Sequence, residues 1–577
     1  MIQIITLSLL ALGATGDRAE MITVLPPPGV VREPSAAAPA PVDRDTDLCR
    51  GWPVSLSAPG AGFPYTPTLY DADGDGADEI FVTGGYTFGL RGDGTFLPGW
   101  PTTEMENMGY GTNASKPGPS VANLDNDDDC EILWTLRDWW AGGSYMWCFN
   151  GKSFDGTDLP GFPQEAPDES SNALDVPFVL ADVDQDGDLE AWGPHTVGNN
   201  FVHDRLSGFD HEGTRLFTVG LGRDENAFSL HFGDVDGDGE REMFLTAWFN
   251  PSLRLYVFEP DGSTTSGYPR ILHTYSGGTL PFGPPIPADL DHDGDLEFVH
   301  GHWDSSGSRA LCHHHDGTPF AGFPIEIATN SQLFYVGLGD VTGDGAPELL
   351  ATDNDYGADH RIHVIDIPSG LPLPGWPLPV AHWPKSFPTV VDITNDGIQE
   401  VCFATGGGEV YAVYGTGDVV AGYPKQMMSP SVTSVGAGDI DGDGLFELVA
   451  TTWDGWVYAW DTAGAALPGR ADWPMRGIDA RNTGIFGRTG TADVASGHPA
   501  PSILRIAVHP NPAPGTVAFR LPAGHPTRVE IFDPTGRRVG LVRGGPNGAL
   551  TWQPRAAGLY YARPVGAVEG VRFVVIR

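Results

Sequence analysis

Hydrophobic and polar positions along this chain repeat one short phrase. An apolar stretch leads into nine mostly acidic residues, a second apolar stretch follows, and then come a glycine turn and an alternating strand. Phe387–Val391, the loop from Asp392, Val401–Thr405 and Glu409–Tyr414 (EVYAVY) show the phrase in order. Period-2 alternation of β-branched and aromatic residues marks a half-buried strand. Most copies close on Gly-aromatic-Pro: Gly99-Trp100-Pro101, Gly161-Phe162-Pro163, Gly267-Tyr268-Pro269, Gly322-Phe323-Pro324, Gly375-Trp376-Pro377 and Gly422-Tyr423-Pro424. The third copy lacks this ending, and the eighth carries Asp472-Trp473-Pro474 in its place. No stretch shows the sustained 3.6-residue periodicity of a helix.

The acidic loops begin at Asp71, Asn123, Asp182, Asp234, Asp289, Asp340, Asp392 and Asp439, spaced by 52, 59, 52, 55, 51, 52 and 47 residues. A supersecondary unit of three or four short strands, stacked at this period, describes a propeller blade. The fold class is therefore all-β, with an eight-bladed β-propeller over residues 49–486 and a seven-bladed ring as the alternative. Gly51-Trp52-Pro53 precedes the first loop and looks like the tail of a blade whose head lies elsewhere. An N-terminal strand completing the last blade would close the ring and leave no open sheet edge.

The loops carry the chemistry. Position 1 is Asp71, Asn123, Asp182, Asp234, Asp289, Asp340, Asp392 or Asp439. Position 3 is Asp73, Asp125, Asp184, Asp236, Asp291, Thr342, Thr394 or Asp441. Position 5 is Asp75, Asp127, Asp186, Asp238, Asp293, Asp344, Asp396 or Asp443. Position 9 is always glutamate: Glu79, Glu131, Glu190, Glu242, Glu297, Glu348, Glu400 and Glu447. Alternate side chains of a tight loop can converge on one hard cation, and glycine at position 6 permits the turn. An all-oxygen donor set with a position-7 carbonyl suits Ca²⁺ better than Mg²⁺ or Zn²⁺. An EF-hand would need Glu at position 12, where the first loop has Val82 and the third Gly193, and it would need flanking helices. Up to eight Ca²⁺ are expected. The weaker sites should be those with Thr342, with Thr394, and with Asp128 in place of the glycine.

Charge supports this. The chain carries 32 basic and 75 acidic residues, a formal charge of −43, and 35 of the acids lie in the eight loops. Eight divalent cations would bring the total to −27. Such an acidic surface repels phosphate, so nucleic acid is not an expected partner. Glycine and proline, 78 and 51 of 577 residues, argue for turns, and the hydrophobic fraction of 40% supplies a core. Five cysteines make no disulfide framework. One pairing, Cys130 with Cys148 across a hairpin turning near Trp139, is conceivable; Cys49, Cys312 and Cys402 read as buried apolar residues. Residues 1–16 read as a secretory signal, with Ile4–Leu12 as the apolar run. Residues 17–48 read as a Pro/Ala-rich linker. No segment is long and apolar enough for a transmembrane span.

The repeated loops resemble those of FG-GAP/VCBS-type propeller repeats, known from integrin α-subunits and bacterial surface proteins. That resemblance implies calcium on one rim and ligand binding on a face. After a linker at 487–501, residues 502–577 carry V-x-P-N-P at Val508–Pro512, VEIFDPTGRRV at Val529–Val539, AGLYYAR at Ala557–Arg563 and the strand RFVVIR at Arg572–Arg577. Alternating strands with Pro and Gly turns read as a small Ig-like β-sandwich. The segment resembles the Ig-like C-terminal sorting domain of type IX secretion cargo; the Ig-like module of the flagellar hook-cap protein is the close alternative. The sorting resemblance implies a secretion machinery partner and display at, or release from, a Gram-negative cell surface.

Signals for catalysis are thin, and no catalytic residue is assigned. No GxSxG, HExxH or Walker motif occurs. His313-His314-His315 falls on an alternating strand, where neighbours point to opposite faces and do not share one metal. Trp139, Trp140, Tyr145 and Trp147, or Trp453, Trp456 and Trp460, could stack on sugar, although propeller aromatics commonly fill the wedge between blades. Arg137, Arg254 and Arg361 would be the cations of a lyase site, but no spacing selects them. The reading is a calcium-stabilised binding or adhesion propeller for a surface glycan or an extracellular protein ligand. The alternative is a polysaccharide-active enzyme on the same scaffold.

Overall fold

A computed structural model describes residues 48–486, apart from connecting segments of which 103–117 and 166–176 are the longest, and the strands between residues 507 and 576. Residues 1–47 and 487–506 lie outside the described residues, and with them the signal, nearly all of the first linker and the whole of the second. Among the described residues there is no helix.

Eight antiparallel sheets follow one another, one for each acidic loop. The fifth blade shows the pattern, running Phe282–Ala288, Glu297–Asp304, Gly307–His314 and Ile325–Ala328 in adjacent order. Its acidic loop joins the first two strands, and the position-9 glutamate starts the second. The first strands pack on one another around the ring, and Thr68–Tyr70 of the first blade meets Gly436–Gly438 of the eighth. Valine, leucine, isoleucine and phenylalanine from adjoining sheets fill the wedges between blades; Val299 and Cys312 of the fifth blade, for example, join Val336 and Leu350 of the sixth.

The ring closes as expected from Gly51-Trp52-Pro53. Val54–Ser55 pairs antiparallel with Val457 and Trp456 as the outer strand of the eighth blade. Leu48 already bridges to Trp460. The Gly-aromatic-Pro endings join neighbours. Indole Nε1 of Trp52, Trp100 and Trp376 donates to the carbonyls of Gly92, Phe154 and Gly415 at 2.7, 2.9 and 2.8 Å. Gly99 has φ 83°, and a Cβ there would lie 1.9 Å from the Asp155 carbonyl oxygen of the next blade, so glycine is required on both counts.

Asp472-Trp473-Pro474 is not a blade ending. Ala471–Trp473 pairs with Thr389–Val391, the first strand of the seventh blade. The chain then runs to Phe486 along the first strands of the whole ring. Asp340 N donates to Asp472 Oδ2, Ala437 N to the Pro474 carbonyl, Val121 N to Ala480, Leu180 N to Arg481 and Phe486 N to Pro287. His231 Nδ1 lies 3.3 Å from the Thr483 carbonyl, and Ala480 packs with Ala72 and Phe81 of the first blade. Residues 471–486 therefore touch all eight blades along the axis.

The Cys130–Cys148 pairing does not form. The hairpin Glu131–Trp139/Tyr145–Ser153 turns where expected, but its register sets Glu131 opposite Ser153 and Leu136 opposite Cys148. Cys130 thus sits about 20 Å along the strand from the level of Cys148 at roughly 3.3 Å per residue, and it is a free, buried thiol. Cys49, Cys312 and Cys402 are buried and free as well.

In the C-terminal part, Ala507–His509, Val517–Arg520 and Leu550–Trp552 form one sheet. Ala513–Pro514, Val571–Ile576, Gly558–Pro564, Arg528–Phe532 and Arg538–Arg543 form another, in that order.

Candidate metal centre

All eight loops share one internal bond. The position-9 glutamate Oε2 accepts the backbone N–H of position 2: Ala72, Leu124, Val183, Val235, Leu290, Val341, Ile393 and Ile440, at 2.8–3.0 Å. This leaves Oε1 for the loop centre. Seven of these glutamates are buried and Glu242 is half-buried. Position 1 accepts the N–H of position 6 through Oδ2 in the loops at Asp71, Asp234, Asp340, Asp392 and Asp439. Position 5 caps position 7, as Asp75 does for Ala77 N at 2.9 Å. Loops also hold each other: Leu189 N donates to the Leu124 carbonyl and Leu296 N to Val235.

Backbone geometry explains the glycines. Position 6 has φ between 88° and 106° in the seven loops with glycine, a region that side chains avoid. No atom lies within 4 Å of a Cβ built at Gly76, so conformation rather than space requires glycine. Position 4 is also left-handed, at 61–74°, which Gln185, His292 and Asn395 adopt as well as glycine. The sequence reading missed position 4 because its residue types vary.

The donor set fits a hard divalent cation. Asp71, Asp73 and Glu79 each offer an oxygen within 4.8 Å of the other two, as do Asp182, Asp184 and Glu190; Asp234, Asp236 and Glu242; and Asp289, Asp291 and Asp293. The Oδ1 atoms of Asp71, Asp182 and Asp289 are buried without a hydrogen-bond partner. A buried carboxylate oxygen in that state is costly unless a cation faces it. Burial, reinforced by the charges of the loop aspartates, pushes Glu79 and Glu447 up to about 8 and Glu190, Glu242, Glu297, Glu348 and Glu400 up to about 7. In the Asn123 loop, Glu131 holds Leu124 N and Asp125 is exposed, while Asp127 and Asp128 lie outside the described residues.

The two threonine loops differ from the rest. Thr342 Oγ1 donates to Glu348 Oε1 at 3.4 Å, and Thr394 Oγ1 to Glu400 Oε1 at 3.1 Å. A hydroxyl thus satisfies the glutamate oxygen that the position-2 bond leaves over. In the Asp392 loop, Arg470 Nη1 also lies 2.6 Å from Asp392 Oδ2, and the Arg470 carbonyl accepts Asp392 N. Nothing in the spacing of the repeats announced Arg470, which arrives from 78 residues downstream.

The histidine triplet divides as alternation requires. His314, opposite Glu297 in register, places Nδ1 2.8 Å from Glu297 Oε1 and, with Asp291, forms a three-donor group in the Asp289 loop. His315 Nε2 lies 3.3 Å from Asp295 Oδ2. His313 faces the other side of the sheet. Away from the loops, Trp383 and Trp453 meet edge to face at 6.3 Å, both half-exposed, beside the His382–Glu409 and Ser429–Asp454 pairs. Trp460 is buried and stacks on Tyr458. The side chains of Trp139, Trp140, Tyr145 and Trp147 lie outside the described residues.

Comparison with known proteins agrees with this repeat. Residues 234–300 match the FG-GAP-like repeat family. That FG-GAP-like segment spans the fourth acidic loop, the rest of the fourth blade and the fifth loop. The chain is 30% identical over 148 residues to BBSome complex member BBS7 of Mus musculus, a match covering 23% of this chain and 20% of that protein, about a fifth of its length. Among solved structures, the V. cholerae biofilm matrix protein Bap1 aligns with 76% of this chain and 95% of its own, at 14% identity and TM-score 0.43. BamB from Moraxella catarrhalis aligns with 59% and 93%, at 11% identity and TM-score 0.33.

Proposed function

We propose that this protein is a secreted, surface-displayed propeller whose FG-GAP-like loops hold structural Ca²⁺ and whose opposite face binds an extracellular ligand. The observation that carries the calcium reading is the set of buried, unpartnered Oδ1 atoms of Asp71, Asp182 and Asp289, each beside the other carboxylates of its loop. Bound Ca²⁺ supplies the positive charge that these oxygens lack; it has no role as a reactant. The protein's own part is to fix the oxygens through the glutamate clamp and the two left-handed positions. Carboxylate, position-7 carbonyl and water oxygens match the coordination that Ca²⁺ prefers. Elemental analysis after dialysis against calcium tests this, with several equivalents per chain expected and none refuting it.

The binding reading rests on Trp383 and Trp453. A half-exposed aromatic pair ringed by hydrogen-bonding side chains suits the apolar face and hydroxyl rim of a sugar. A surface glycan is the ligand favoured, with an extracellular protein as the other. The Ig-like sandwich reading of residues 502–577, and their passage through a secretion machinery to a Gram-negative cell surface, rest on the sequence motifs. Incubating a polysaccharide panel with the calcium-loaded chain separates the readings. Co-elution that is lost in Trp453→Ala supports glycan binding; shortened polysaccharide would make the protein an enzyme instead.

A further inference from the structure

Among the described residues, the wedge between the fourth and fifth blades contains a feature that no other wedge repeats. Three residues after the position-9 glutamate, the second strand carries Val82, Trp134, Gly193, Leu245, Ala351, Phe403 and Ala450 in seven blades, and His300 in the fifth. His302 follows two residues later on the same face, and His313 joins that face from the neighbouring strand, where it pairs with Phe298. His273 comes from the outer strand of the fourth blade, Arg270–Thr274, and Tyr275 stands just beyond it. Four imidazoles and a phenol thus form an island beside Phe298, Leu311, Leu272 and Trp248, all in the apolar filling of this wedge.

The nitrogens are ordered. His273 Nδ1 lies 3.3 Å from His313 Nε2, His313 Nδ1 lies 3.3 Å from His300 Nε2, and His300 Nδ1 lies 2.8 Å from the Tyr275 hydroxyl. Two nitrogens bound at 2.0–2.1 Å to one tetrahedral ion are about 3.3 Å apart, and their ring centres about 5 Å apart. The His273 and His313 rings are 5.1 Å apart. His302 lies alongside, 6.4 Å from His273 between ring centres, with Tyr275 at 4.9 Å.

We propose that this island is a second metal centre, separate from the acidic loops, which takes an imidazole-preferring transition-metal ion through His273 Nδ1 and His313 Nε2. The protons then have one consistent arrangement. With Nε2 on the ion, His313 donates from Nδ1–H to His300 Nε2, and His300 donates from Nδ1–H to the Tyr275 oxygen. His300 and Tyr275 are positioning residues in the way that outer partners orient metal-bound histidines. The neutral imidazole is the form that binds metal. All donors of this set are imidazoles, which selects Zn²⁺, Ni²⁺ or Cu²⁺ over Ca²⁺. His273 is half-buried on an outer strand, which leaves the ion's remaining positions to water.

Co²⁺ added to the full chain in excess Ca²⁺ tests the proposal, because calcium occupies the acidic loops and Co²⁺ reports tetrahedral nitrogen ligation by its visible absorption. The expected result is a band that saturates at one equivalent and is displaced by Zn²⁺. His273→Leu and His313→Phe should each abolish it, and His300→Leu should weaken Co²⁺ binding roughly 10- to 100-fold. His273→Leu alters only a half-exposed ring and keeps the test decisive if His313→Phe fails to fold. No saturable band in calcium, or a band that survives His273→Leu, would overturn the proposal.

Discussion

The Asp71 and Asp392 loops have the same frame and opposite solutions to the same electrostatic problem. Both clamp a position-2 N–H with a buried glutamate, and both fold Oδ2 of position 1 onto the N–H of position 6. In the Asp71 loop, Asp73 stands at position 3 and Asp71 Oδ1 is buried without a partner. In the Asp392 loop, Thr394 donates to Glu400, and the Arg470 guanidinium sits on Asp392. One loop leaves a buried carboxylate oxygen without a partner; the other holds a positive charge on a side chain. A repeat can therefore keep its fold while the partner of its buried carboxylate changes from blade to blade.

The largest test of this contrast removes calcium from the whole ring. At about ten times Kd each site adds about 1.4 kcal/mol, so four or more sites amount to roughly 6 kcal/mol or more. Thermal melts in chelator should fall well below those in calcium, and an unchanged midpoint would break the comparison. Next comes pH in chelator. The loop glutamates titrate near 7 to 8 in the folded chain against an ordinary value of 4.5. Their protonated form is thus favoured by folding, and the stability they give is full below about pH 4.5 and lost as pH rises through 7 to 8. The calcium-free protein should melt lower at pH 8 than at pH 5, whereas saturating calcium should flatten or invert that slope. A flat profile without calcium would mean that the carboxylates are not under strain.

Arg470→Met tests the built-in cation. It strands Asp392 as a buried charge, at a cost of about 3 kcal/mol. Calcium should restore part of this loss and raise the bound stoichiometry by one; equal losses with and without calcium would show that the loop cannot accept the ion. Smaller still, Asp71→Asn should cost about 1.4 kcal/mol in calcium and nothing, or a slight gain, in chelator. Thr394→Val should cost about 1 kcal/mol in both. Paired denaturant titrations of these two variants would show whether the loops really differ in kind.

The repeat period, the loop frame and the ring closure were legible because each is local and recurs. Asp71, Asp73 and Glu79 lie within nine residues, and Gly51-Trp52-Pro53 copies a motif seen six more times. What could not be read depends on distant chain. Arg470 reaches Asp392 across 78 residues, and His273 meets His313 across 40. Asp472-Trp473-Pro474 imitated a blade ending by composition, but its backbone pairs with Val390 and Val391 on the ring axis. His314 was half legible: alternation separated it from His313, yet only the register opposite Glu297 brings it to the Asp289 loop.

The axial segment gives the molecule a mechanical direction. Tension entering from the C-terminal side must first draw out residues 471–486, which are fastened to every blade. Tension entering from the N-terminal side meets residues 48–56, including the two-residue strand Val54–Ser55, held by a few bonds to the eighth blade and by the Trp52 indole to Gly92 of the first. A propeller tethered by its C-terminal end would carry load through its hub. Held by its N-terminal end, it would open at the seam, with the short closing strand as the fuse.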